Sequence, residues 1–99
     1  MKTNFQMIKE FHDYAPKERG IASFKEVKMI QDHFHLFEMD LLALQNLRDM
    51  VVVVYSNWRT EARNRFDYDE LDRLSDAMQS IVAVIDIAKV NVGAKVEDL

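Results

Sequence analysis

The sequence predicts an all-α fold: a short N-terminal helix followed by a long helical hairpin, in a bundle completed by homodimerisation. Three observations carry that expectation. Two glycines and one proline in 99 residues leave little material for the turns of an all-β or α/β chain. Apolar residues recur at alternating steps of three and four through most of the chain. The polar residues that open each periodic run are of the type that caps helices.

The first helix is expected from about Asn4 to Tyr14. Thr3 and Gln6 form a capping-box pattern, Phe5, Ile8 and Phe11 recur once per turn, and Pro16 stops the helix because it disfavours helical backbone in the residue before it. Residues 15–22, holding Pro16 and Gly20, read as a loop. Ser23 and Glu26 then make a second capping box. From there the stripe Val27, Ile30, Phe34, Phe37, Leu41, Leu44, Arg48, Val51, Tyr55 and Trp58 is interrupted only by the arginine. It reads as one long helix over about 24–65, with Ser56-Asn57 as the alternative break point. Asp67 with Asp69 and Glu70 opens a third helix over about 68–92, whose stripe runs through Leu71, Leu74, Met78, Ile81, Ile85, Ala88 and Val92. Gly93 marks its end, and residues 94–99 read as a frayed tail. The β-branched runs at Met50 to Tyr55 and Val84 to Val90 compete as strands. Each lies in phase with a helical stripe that begins well before it, so the helix is the simpler reading.

A helix over 24–65 would be about 60 Å long and its downstream partner only about 35 Å. The hairpin could not cover its own seam, and residues such as Phe34, Phe37 and Leu41 each gain about 1.5 to 3 kcal/mol from burial. The uncovered stretch must pack on the N-terminal helix, a second copy, or both, which favours a dimer seam of Val27, Ile30, Phe34, Phe37, Leu41, Leu44 and Arg48; a monomeric three- or four-helix bundle broken near Ser56-Asn57 is the alternative. Arg48, a charge at a seam position, calls for an acidic partner on the facing helix or across the dimer.

With 48% apolar residues the chain can build one core, which argues for a single domain. Asp and Glu outnumber Lys and Arg by 17 to 13, giving a net charge of −4, so a general nucleic-acid binder is disfavoured. No cysteine is present, which excludes disulfides, thiolate metal sites and cysteine nucleophiles. The N-terminus carries no signal-peptide pattern, and the longest apolar run, Met50 to Tyr55, is far short of the roughly 20 residues a membrane helix needs. A cytoplasmic protein of bacterial or phage type is the expectation.

Little in the chain points to chemistry. His33 and His35 stand two residues apart and point to opposite sides of a helix, so no metal or cofactor is expected. There is no nucleophile elbow and no glycine-rich phosphate loop. Trp58, Arg59, Arg63, Arg65, Phe66 and Tyr68 gather at the expected bend between the last two helices, with Asp69 and Asp72 beyond it and a helical Glu61–Arg65 pair within it. Aromatic residues interleaved with arginine suit a protein contact surface. The sequence therefore favours a non-enzymatic helical interaction protein, a small regulator, adaptor or inhibitor of another protein. The candidate contact residues are Trp58, Arg59, Arg63, Arg65, Tyr68, Asp69 and Asp72. An acidic inhibitor occupying a basic nucleic-acid or nuclease site, and a small all-α enzyme with an anion pocket around Arg48, are the alternatives.

Overall fold

The computed structural model describes residues 3–14 and 23–97, with side chains as far as Gly93. The loop expected over 15–22 and the last two tail residues lie outside the described residues. Helix α1 spans Asn4–Tyr14. Its entry is fixed reciprocally: the Gln6 amide N–H donates to Thr3 Oγ1 at 3.2 Å, and the Thr3 N–H donates to Gln6 Oε1 at 2.9 Å. Helix α2 spans Phe24–His33, and Ser23 Oγ accepts from the Glu26 N–H at 3.2 Å.

The long helix expected over 24–65 is two helices. α2 stops at His33, His35 adopts left-handed backbone at φ 55°, and Leu36–Glu38 form one 3-10 turn. Helix α3 then starts afresh over Leu41–Asn64, capped by Asp40, whose Oδ1 accepts from the Ala43 N–H at 2.7 Å. Asp40 offers its carboxylate to a backbone donor that a continuous helix would bond internally, and Met39 and Leu44 occupy the two positions of a hydrophobic staple around that cap. The alternative break point is not used, since α3 runs uninterrupted through Ser56-Asn57. Helix α4 spans Tyr68–Glu97 and is capped by Asp67, whose Oδ1 accepts from the Glu70 N–H at 3.2 Å. It passes through Gly93 rather than ending there; a helical glycine costs about 1 kcal/mol, which a long helix absorbs, and no proline follows. Both β-branched runs lie inside helices, and the described residues contain no strand.

The break changes how the apolar stripe is buried. α3 and α4, of 24 and 30 residues, form an antiparallel hairpin registered by Arg48 with Asp86 and by Lys89 donating to Gln45. α2 doubles back onto the flank of α4, where Gln31 is 3% exposed and its Nε2 donates to the Val84 carbonyl at 3.2 Å. α1 closes the bundle, its Phe11 ring edge-on to Phe34 with centroids 4.0 Å apart. The seam that called for a second chain is thus covered largely from within. Ile30, Phe34 and Leu44 are buried, Val27, Phe37 and Arg48 are half-buried, and only Leu41 is left out at 41% exposure. Leu36, one position off the expected stripe, is fully buried instead of Phe37, because the left-handed step at His35 rotates the chain before the turn. No helix among the described residues is long and apolar enough to cross a membrane.

Candidate functional site at the α3–α4 bend

The bend is built from two overlapping caps. Arg65 ends α3, the Phe66 N–H donates to the Arg63 carbonyl at 3.0 Å, and the Asp67 N–H donates to the Ala62 carbonyl at 2.9 Å. That pair of bonds is a Schellman motif, whose central residue must adopt left-handed backbone. Glycine usually fills the position because it has no Cβ to clash. Here it is Phe66, at φ 57°, with its side chain 76% exposed. Asp67 then serves at once as the last residue of the motif and the cap of α4, so three residues reverse the chain.

Around this turn the structure separates the sequence-derived candidates into two sets. Trp58 and Arg65 line a cleft of about 200 Å³ together with Glu61, with Lys9, His12 and Asp13 of α1, and with Glu70 and Leu74 of α4. Arg63, Tyr68, Asp69 and Asp72 stand outward, Tyr68 at 59% exposure. Arg59 is half-buried on the flank of α3, its Nε shielded from solvent and without a hydrogen-bond partner. The expected Glu61–Arg65 ion pair is absent among the described residues. The Arg65 N–H still donates to the Glu61 carbonyl at 3.1 Å, so the backbone keeps the two one turn apart, and both side chains line the cleft without pairing.

The wall of the cleft is aromatic. The His12 ring lies 5.4 Å from Trp58 and 5.6 Å from Tyr55, and Tyr55 meets Trp58 edge-on at 5.0 Å. Tyr55 is fully buried, and its hydroxyl sits 3.0 Å from His12 Nδ1. Burial, with the Asp13 carboxylate adding to it, pushes the Tyr55 hydroxyl well above the ordinary tyrosine range. The phenol therefore stays protonated and is paired with Nδ1. His12 and Tyr55 were not legible as site residues. Tyr55 reads as one more apolar member of the α3 stripe, and nothing local to α1 announces that His12 reaches across to it.

The remaining candidates are accounted for by structure. Arg48 Nε donates to Asp86 Oδ1 at 2.8 Å, a pair about one third and one half exposed and worth at most about 1 kcal/mol. His33 stacks on Tyr14 with centroids 4.6 Å apart, and His35 Nδ1 lies 3.7 Å from Glu38. No group of three or more His, Cys, Asp or Glu among the described residues is placed to hold a metal ion. Comparison with family models, with curated proteins and with solved structures finds no match for this chain.

Proposed function

We propose that the chain is a non-enzymatic helical interaction protein, a small regulator, adaptor or inhibitor, and that the α3–α4 bend is its contact surface. Phe66 carries the reading. A left-handed residue with a Cβ costs about 1 kcal/mol relative to glycine, and at 76% exposure the ring recovers almost none of that by burial within the chain. A glycine would serve the turn better, so a benefit to the phenylalanine is to be sought outside the molecule. Tyr68 exposes a second ring beside it, and Arg63, Asp69 and Asp72 supply a polar rim of both signs.

The test is Phe66→Gly. The variant is expected to be about 1 kcal/mol more stable in urea unfolding while its affinity for a captured protein partner falls at least about tenfold. Trp58→Ala and Arg59→Ala serve as neighbouring probes. A partner held equally well by Phe66→Gly, or no partner recovered from several hosts, overturns the reading.

The acidic-inhibitor alternative draws on Asp67, Asp69, Glu70, Asp72 and Asp76. Two of these are occupied in the fold, Asp67 as a cap and Glu70 beside Arg73 at 3.9 Å, which leaves a thinner outward patch. Binding that survives high salt unchanged removes that alternative. The anion-pocket enzyme draws less support because Arg48 Nε already donates to Asp86, whose carboxylate beside it would repel an anion. Completion of the bundle by a second copy stays part of the proposal, on a surface other than the stripe now covered from within.

A further inference from the structure

The outward face of α3 is unlike the rest of the surface. From Leu42 to Thr60 its exposed positions carry a single charge, Asp49, in a chain that is 30% charged. The first exposed positions of α4 after Tyr68, by contrast, are Asp69, Asp72, Arg73 and Asp76. Depletion of charge is the compositional mark of an interface centre. The uncharged strip is also ordered. Ala43, Asn46, Met50, Val53, Asn57 and Thr60 follow one another at steps of three, four, three, four and three, so they share one narrow line along the helix.

That line reads the same in both directions: small, amide, apolar, apolar, amide, small. Met50 and Val53 at its centre are 37% and 58% exposed, and neither the Asn46 nor the Asn57 amide has a side-chain hydrogen bond among the described residues. A surface that meets a twofold copy of itself must be self-complementary, residue i touching j and j touching i. We infer that the outward face of α3 docks on the same face of a second copy of this chain, antiparallel, with the twofold axis passing between Met50 and Val53. Each Met50 then packs on Val53 of the second copy. Each Asn46 amide faces Asn57 of the second copy, where donor and acceptor can be exchanged reciprocally. A face of one charge sign could not repeat against itself without like charges meeting; this strip has no such barrier and offers no charge to an acidic or basic partner, so a second copy suits it better. The inference deepens the self-association part of the proposed function and stands apart from the bend.

Sedimentation equilibrium of the full chain tests it. One helix pair of this length buries less than a standard interface, so the dimer is expected to form with rising concentration between about 10 µM and about 1 mM. Val53→Glu, which sets carboxylates beside the axis, should move the midpoint at least about tenfold upward with the helical circular dichroism unchanged. The double variant Asn46→Asp with Asn57→Lys should dimerise at least as well as the parent, because an antiparallel pair brings each aspartate to a lysine. A parent that keeps the mass of one chain throughout, or a Val53→Glu midpoint that does not move, overturns the proposal. Loss of dimer in the double variant overturns the antiparallel arrangement, since a parallel pair would oppose like charges. Phe66→Gly should leave the dimer intact, so failure at the bend and failure at this face are read separately.

Discussion

At the scale of single residues, two groups besides the left-handed His35 stand in conditions that ordinary sequence statistics disfavour. Phe66 takes the left-handed backbone of a glycine, and Tyr55 is a hydroxyl with no solvent access. The tyrosine is tolerable because its hydroxyl is paired with His12 Nδ1, at the distance of a normal hydrogen bond. Tyr55→Phe should therefore cost about 1 kcal/mol near neutral pH, read by urea unfolding. Its pH dependence has a definite sign. The folded pKa is raised, so the folded chain holds the phenolic proton more tightly than the unfolded chain does. The contribution to stability is complete below the unfolded value of about 10 and is lost as pH rises from there toward the folded value, at up to about 1.4 kcal/mol per pH unit. The parent should lose stability above pH of about 10 more steeply than Tyr55→Phe. Parallel curves would show that the hydroxyl is not held protonated by burial. In the sequence Tyr55 shows only as an apolar member of a stripe, because the group that completes it lies 43 positions away.

At the scale of elements, the caps at Thr3, Ser23 and Asp67 were legible because each is local, a side-chain oxygen three residues from the N–H it accepts. Asp40 has the same geometry and was missed. The apolar rhythm on either side of it stays in phase, so periodicity gave no sign of a break, and the Met39-Asp40…Leu44 pattern was the only local signal. Asp40→Ala separates the two descriptions by sign. As the cap of α3 the aspartate should be worth about 1 kcal/mol, lost on substitution. In the middle of a continuous helix, alanine would instead be stabilising by a few tenths, about 0.5 kcal/mol at most. Urea unfolding of the variant, with the sign of the shift as the readout, checks this.

At the scale of the whole molecule, the turn at residues 34–40 decides what the bundle is. With it, α2 folds back on α4, α3 is short enough for α4 to run along its whole length, and a stripe that seemed to need a second chain is mostly satisfied by this one. Leu36 is the measure of that change. Leu36→Ala should cost about 2 to 5 kcal/mol, as for other fully buried leucines. Leu41→Ala, on the expected stripe but 41% exposed, should cost much less. A continuous rod would reverse the order, so comparing the two variants in one denaturation series tests the fold itself.

Periodicity and capping act over a few residues, so the all-α class, the helical hairpin with its tight bend, and the gathering of Trp58, Arg65 and Tyr68 near that bend are legible in the chain alone. Which way α2 runs, the burial of Leu36 instead of Phe37, and the closing of His12 over Tyr55 and Trp58 come from packing between distant elements. A left-handed step at one residue leaves the local pattern almost unchanged, yet it redirects every side chain beyond it, and which arrangement wins depends on burial summed over contacts far apart in the chain.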